Sequence, residues 1–394
     1  MLRTRAARAA ARPRNAGPGS APRRRGMATD ADVDKARAYC QAQLRAGDYD
    51  SHLIRRFVPP PSRDAYDALR ALNLELARLP ETVSTPLLGR MRTQFWRDSV
   101  NATFAGRPPR EPICILLHRA LSDLSSRGTT TGGGGVVAPS TSSMKFWVQR
   151  LISTRELHMD NRPFASLAAL EEYAEHTYAT LTYAVLAAAP LRSLHLDHLA
   201  SHIGKACGIV AVLRGIPILA APRAPVQTPM GGGSSSSSGQ QQALLLPLDV
   251  MARAGVREED VFRKGPQAPG LQDAVFEVAT RANDHLITAR EMLKNLRAGR
   301  DAGHDYEHEG EAEHVYESRE GSRPQQPGGV TAAAAAADEQ VAADLRRGFG
   351  ALLEAVPAAD FLQRLEKQNF DPFKVGPSWK LPWSIWRALQ KQQI

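Results

Sequence analysis

Apolar residues recur three and four positions apart along most of this chain, and no stretch alternates between apolar and polar residues as a half-buried strand would. This spacing predicts consecutive amphipathic helices joined by short turns. One is predicted to begin with Ser62 as its cap and to end at Pro80, with Tyr66, Leu69 and Leu72 on its inner face. The next carries Leu88, Met91, Phe95 and Trp96, and the segment 167–189 is predicted to form one further helix. The pattern therefore predicts an all-α fold.

The most informative stretch is the helix predicted over residues 198–219. Its apolar residues keep to one face, at spacings of four and three. Gly204 and Gly208 lie one turn apart, and because glycine has no Cβ they predict the close approach of another helix. Pro217 is predicted to break the helix, since proline lacks the N–H that the helix needs.

Three low-complexity stretches interrupt this pattern, at residues 125–143, 221–242 and 299–337. The first two are rich in Gly, Ser and Thr, and the third is acidic and then polyalanine, so we predict disordered insertions that bury no face. What remains is one helical domain over residues 33–297, which C-terminal helices and a Trp-rich tail over residues 338–394 complete.

The formal net charge of +9 comes almost entirely from the N-terminus. Residues 1–27 are rich in Arg and Ala and contain no acid, a composition typical of a mitochondrial or chloroplast transit peptide. The excess of Arg over Ser favours a mitochondrial transit peptide, and a disordered basic tail is the alternative. Without these residues the chain is close to neutral, so it lacks the basic footprint of a nucleic-acid-binding protein. Cys40, Cys114 and Cys207 are scattered and fit neither a disulfide framework nor a zinc site.

His195, His198 and His202 are the first candidates for chemistry. Two of them lie one helical turn apart, as zinc ligands on a helix can, which leaves a metal-dependent hydrolase as one hypothesis. No H-E-x-x-H arrangement accompanies them, and capping or packing histidines would show the same spacing. The chain also contains neither a G-x-S-x-G elbow nor a G-x-x-x-x-G-K phosphate loop.

Several segments resemble the squalene/phytoene synthase family, among them LRALNLELARLPE (69–81), MRTQFWRDSV (91–100) and ASHIGKACGIVAVLRGIPILA (200–220). The resemblance implies a single helical domain of isoprenoid synthase type with a central cavity. Catalytic members carry two aspartate-rich clusters on facing helices, which hold Mg²⁺ and a prenyl diphosphate.

At the positions that match these clusters the chain lacks the paired aspartates. Ala77 and Glu81 occupy the first cluster, Gly215 and Leu219 occupy the second, and Arg214 matches the arginine that precedes it. We expect all five residues to line the cavity without binding a metal or cofactor, so the resemblance implies a protein that is not an enzyme. The alternative is an active Mg²⁺-dependent prenyl transferase that condenses prenyl diphosphates with unusual ligands.

Within the family, the segments ALNLELA (71–77), QFW (94–96) and LPLDV (246–250) are most similar to a branch that assists assembly of respiratory complex I. This resemblance implies a mitochondrial scaffold on the matrix face of the inner membrane. Its expected partners are complex I subunits or assembly intermediates, and a lipid could occupy the cavity. Trp379, Trp383 and Trp386 lie among basic residues in the tail, so we expect them to contact a membrane or a partner there.

Overall fold

The computed structural model describes residues 29–83, 85–128, 141–189, 191, 194–221, 242–298 and 332–394. All regular structure in these ranges is helical, which confirms the all-α prediction. The predicted leader over residues 1–27 and most of the three predicted insertions lie outside the described residues.

The first half of the described chain forms eight helices. These are α1 (Asp30–Gly47), α2 (Tyr49–Ile54), α3 (Pro60–Ala77), α4 (Leu79–Thr82), α5 (Pro86–Phe104), α6 (Pro112–Gly128), α7 (Thr141–Leu157) and α8 (Leu167–Ala174). A π-helical turn, Glu175–Ala179, follows α8 directly. The remaining helices are α9 (Thr180–Ala188), α10 (Leu194–Leu219), α11 (Leu248–Ala254), α12 (Glu258–Lys264), α13 (Leu271–Arg297), α14 (Ala332–Leu352), α15 (Ala355–Lys367) and α16 (Leu381–Lys391).

The helices extend into two of the predicted insertions. Residues 125–128 continue α6, residues 141–143 begin α7, and residues 332–337 begin α14, so these boundaries were predicted too wide. In α6 the hydroxyl of Ser125 donates to the carbonyl of Leu121 at 2.9 Å, which lets a polar residue extend the helix. α14 begins with a polyalanine run, and alanine has the highest intrinsic helix propensity of any residue type.

The start of α3 also differs from the prediction. The helix begins at Pro60 after Pro59, because proline is tolerated where the first N–H groups of a helix have no partner. Ser62 therefore lies inside the helix, where its hydroxyl donates to the carbonyl of Ala188 at 3.3 Å. The end of α3 is at Ala77, and Pro80 lies within the short helix α4.

Of the four apolar residues that mark α5 in the sequence, the helix turns one toward the core. Trp96 is buried, but Leu88, Met91 and Phe95 are exposed to solvent. The inner side of the first turns carries Gly89, and a Cβ there would lie 2.2 Å from the sulfur of Met159. The close fit of Gly89 against this neighbour fixes the rotation of the helix and turns the larger side chains outward.

α10 is the central helix, and it packs against α13, against α8 to α9 and against α15. It continues through Pro217 to Leu219, contrary to the predicted break. Pro217 lies in the last turn, so only one backbone hydrogen bond is lost, and the N–H of Ala220 still bonds to the carbonyl of Ile216 at 3.0 Å. By length and composition alone α10 could cross a bilayer, yet 61% of its apolar window is buried inside the protein, as in the core helix of a globular domain.

The two glycines of α10 make the close approach that their spacing predicts. A Cβ on Gly204 would lie 2.3 Å from the Cα of Ala179, and one on Gly208 would lie 2.4 Å from the Cβ of Ala174. Ala174 directly precedes the π-helical turn and Ala179 is its last residue. This turn interrupts the helix predicted over residues 167–189. The backbone of α10 therefore lies directly against this turn with no side chain between them.

A buried polar cluster joins α3 to the beginning of α15. Arg70 makes a salt bridge of 2.7 Å with Glu354, and the hydroxyl of Tyr66 donates to the same carboxylate at 2.5 Å. Burial raises the pKa of Glu354 to about 7, although Arg70 opposes the shift. The cluster therefore gains a proton more readily than an exposed glutamate would.

We expect Gly204→Ala to destabilise the protein and Gly215→Ala to be tolerated. The added methyl at residue 204 would collide with backbone atoms, at a cost of about 1–3 kcal/mol. At residue 215 the nearest atom, Leu219 Cδ1, lies 3.6 Å away, so the change should stay within about 1 kcal/mol of the wild type or stabilise. Urea unfolding of both variants measures the difference, and equal stabilities would contradict this packing.

We expect Glu354→Gln to reduce the pH dependence of stability. The pKa of the folded-state carboxyl is raised, so the folded protein binds more protons than the unfolded chain and stability falls as pH rises from about 4.5 to about 7. This contribution, about 3 kcal/mol over that window, is absent from the Gln variant. Urea unfolding of wild type and variant at pH 5 and pH 8 measures it, and a free-energy difference that does not change with pH would refute the assignment.

Candidate functional site

A cavity of about 190 Å³ lies where the end of α3, the end of α7, the π-helical turn and the second half of α10 meet. Its apolar wall includes Leu76, Val212 and Ile218. Its polar wall includes Arg155, Tyr173 and Tyr178, together with His158 and Asn161 from the turn after α7.

The structure places four of the five candidate positions around this cavity. Ala77 and Glu81 line it from α3 and α4, and Gly215 and Leu219 line it from α10. The positions that match the two aspartate-rich clusters thus face a common space. Glu81 is the only carboxylate among the described residues of the lining.

Arg214 does not line the cavity, contrary to the expectation. One nitrogen of its guanidinium lies 2.5 Å from a carboxylate oxygen of Asp50, and another donates to the carbonyl of Pro357 at 2.8 Å. The guanidinium also lies over the ring of Phe361, 5.0 Å from its centre. Because Arg214 and Gly215 are neighbours on a helix they point in directions about 100° apart, so Arg214 ties α10 to α2 and α15 instead.

The polar wall contains residues that the sequence did not single out. Arg155 donates to Asn73 Oδ1 at 2.7 Å and to the hydroxyl of Tyr173, and it lies 5.7 Å from the ring centre of Tyr178. Burial raises the pKa of Tyr178, so that phenol stays protonated at neutral pH. Nothing local in the sequence marks Arg155, because its partners Asn73 and Tyr173 come from other parts of the chain.

The donor set of the cavity does not fit the Mg²⁺ that catalytic members of a synthase family use. Mg²⁺ prefers several hard oxygen ligands in octahedral geometry, usually carboxylates together with substrate phosphates. The described lining offers one carboxylate, Glu81, and a cationic guanidinium. No catalytic step through a metal is therefore assigned to these residues.

His202, one of the three histidine candidates, belongs to a hydrogen-bonded chain of side chains. His202 Nδ1 lies 3.0 Å from His285 Nδ1, and His285 Nε2 lies 2.6 Å from Glu171 Oε1. Burial alone would raise the pKa of Glu171, but hydrogen bonds from His285 and Arg281 lower it to about 2. His198 stacks on His202 with ring centres 5.1 Å apart.

In the part of the chain that the structure describes, no three side chains of His, Cys, Asp or Glu converge as metal ligands would. His195, at the start of α10, belongs to no such group there either. These residues therefore supply no geometry for the hydrolase hypothesis.

The three tail tryptophans lie at the surface, Trp379 just before α16 and Trp383 and Trp386 within it. Their exposed fractions are 85%, 63% and 42%. Trp383 and Trp386 stack with ring centres 4.7 Å apart. Leu381 and Ile385 form the buried side of the same helix, so the tryptophans project from the protein.

Comparison with known proteins agrees with this architecture. Residues 44–302 match the model of the squalene/phytoene synthase family. The chain is 32% identical over 284 residues to a mouse (Mus musculus) protein named NADH dehydrogenase (ubiquinone) complex I, assembly factor 6. The aligned residues are 72% of this chain and 74% of that protein. The human (Homo sapiens) protein of the same name is 32% identical over 66% of each chain. A homologue from Drosophila melanogaster is 32% identical, over 64% of this chain and 67% of that protein.

Among solved structures, a dehydrosqualene synthase in complex with a ligand matches with a TM-score of 0.57. The match covers 92% of this chain and 98% of that one at 14% identity. At this identity the likeness concerns the fold alone.

Proposed function

Since this chain belongs to the squalene/phytoene synthase family, we propose that it is a mitochondrial assembly factor for respiratory complex I that acts by binding and not by catalysis. The relatives named as complex I assembly factors, which share about a third of their residues with it over most of its length, support the assembly role. The lining of the cavity is the observation that supports a role without catalysis.

Ala77, Gly215 and Leu219 line that cavity, and the family resemblance implies aspartates of the catalytic members at these three positions. Cleavage of an allylic diphosphate builds negative charge on the departing pyrophosphate, and bound metal ions lower the barrier by several kcal/mol when they neutralise it. Glu81 alone cannot hold two metal ions, and Arg155 is a cation that cannot ligate a metal. The active prenyl transferase is therefore the weaker proposal.

The same cavity suits an amphiphile with an anionic end. Its apolar wall offers Leu76 and Val212 to a hydrocarbon portion, and Arg155 with Tyr178 offers donors to an anionic head. We place a lipid there as part of the proposed function, without metal-dependent turnover.

The proposed location is the matrix face of the inner membrane. The N-terminal composition supports import into mitochondria. Contact with the membrane is assigned to α16 and the preceding Trp379, where exposed indoles lie beside Lys380, Arg387 and Lys391, and no acidic residue occurs between residues 372 and 394.

Removing the gene in the organism that encodes the protein should lower assembled complex I while the other respiratory complexes persist. Native gel electrophoresis of mitochondrial membranes measures this, and re-expression of the wild-type chain is the control. Normal complex I after removal would refute the assembly role. In a parallel assay the purified protein is incubated with farnesyl diphosphate and Mg²⁺, and any condensed product above the protein-free control would refute the non-catalytic part.

Replacing Trp379, Trp383 and Trp386 together by Ser should weaken binding to lipid vesicles that contain cardiolipin by about tenfold or more, because three interfacial indoles are lost. Co-sedimentation of the purified full-length chain measures binding. The matched control replaces Leu194, Phe276 and Ile287, which are exposed elsewhere, by Ser. Equal binding of the tryptophan variant and the control variant would show that α16 is not the membrane contact.

A further inference from the structure

The outward face of α5 is an apolar stripe that no described part of the chain covers. Leu87, Leu88, Met91 and Phe95 are exposed by 63%, 44%, 61% and 50%. Residues 87, 91 and 95 lie one turn apart on an α-helix, so the stripe runs about 12 Å along the axis. Single exposed apolar residues are common, but a contiguous row marks an interaction site.

The rest of the molecule holds this stripe in place. Gly89 packs against Met159 on the inner side, and Trp96 is buried one turn beyond the stripe. Arg97 makes a salt bridge of 2.7 Å with Glu156 at the end of α7. Rotating α5 to bury the stripe would break all three contacts, so the apolar face remains available to a partner.

The polar residues beside the stripe indicate the charge of that partner. Arg90 and Arg92 are exposed on the same turns, and no Asp, Glu or Lys occurs from Pro86 to Arg97. Neither arginine pairs with a described residue, whereas the exposed Arg263 lies 2.6 Å from Glu259. Two unpaired guanidinium groups beside an apolar row favour carboxylates on whatever binds there.

The composition of the stripe favours a protein over a lipid surface. Phe, Met and Arg are enriched and Lys is depleted at protein interfaces, and Met adapts its shape to a partner's side chains. α16, with its tryptophans and lysines, has the contrasting composition of a membrane-surface helix. Anchors at residues 87, 91 and 95 match the spacing of one helix that packs along another.

We propose that the face of α5 from Leu87 to Phe95 binds an acidic amphipathic helix of a partner protein. Apolar side chains of that helix would pack on the stripe, and its carboxylates would pair with Arg90 and Arg92. The partner is identified as a component of complex I, and this identity rests on the proposed assembly function. Met159, which packs against Gly89 on the inner side of α5, directly follows His158 of the cavity lining, so the partner would lie on a helix next to the cavity.

Photo-crosslinking in mitochondria tests this surface. The full chain carries benzoylphenylalanine in place of Met91, in a strain that lacks the endogenous protein, and the control carries it in place of Ile287 on α13. We expect an adduct from residue 91 only, on a peptide that is helical and contains Asp or Glu. The double variant Arg90→Glu, Arg92→Glu should reduce its yield about tenfold, because like charges then oppose each other. Arg56→Glu with Arg346→Glu changes the net charge equally at other exposed sites and should leave the yield unchanged.

The outcomes separate this inference from the proposed function. An adduct with a lipid, with a second copy or with another segment of this chain would overturn the docking surface, as would a yield no higher than that of the control position. A charge-dependent adduct on an acidic helix of a protein outside complex I would support the surface and contradict the assembly role. If re-expression of the wild type restores complex I and no adduct forms at residue 91, the assembly role survives and the docking surface does not.

Discussion

The direct contact between α10 and the π-helical turn sets the geometry of the rest of the molecule. Gly204 and Gly208 let the two backbones meet without intervening side chains, against Ala179 and Ala174. Because α10 cannot slide or rotate in this contact, Gly215 and Leu219 project into the same space as Tyr173 and Tyr178. A side chain at either glycine would separate the helices and open the cavity that they share.

Two buried carboxylates near α10 are paired within the protein. Glu171 accepts from His285 and Arg281, and Glu354 accepts from Tyr66 and Arg70. These carboxylates hold helices together, and neither is among the residues that line the cavity. The fold thus retains a shaped interior whose remaining polar groups, Arg155 and its tyrosine partners, are better suited to hold an anion than to coordinate Mg²⁺.

Two outward surfaces differ in a way that fits a scaffold with two kinds of contact. α16 presents indoles and lysines, whereas α5 presents Leu, Met, Phe and arginines that pair with no described residue. Each helix is anchored by its other side, α16 through Leu381 and Ile385 and α5 through Trp96. Membrane attachment and partner binding can therefore be disrupted separately, since the two surfaces share no residue.

Helical periodicity was sufficient to predict the all-α class and most helices, because backbone hydrogen bonding within a helix is local and its apolar period is visible in the chain. The close approach of another helix at Gly204 and Gly208 could also be predicted from the sequence, because glycine inside an apolar helix has no Cβ to keep a neighbouring backbone away. Family resemblance, and not periodicity, identified Ala77, Glu81, Gly215 and Leu219. Periodicity does not say which neighbour a helix meets, so it did not show that Gly89 faces the core while Leu88, Met91 and Phe95 face outward. The family resemblance placed Arg214 at the cavity, although Asp50 and Pro357 hold it elsewhere. Tertiary structure decided these points, and the placement of Arg155, because each depends on contacts between residues far apart in the chain.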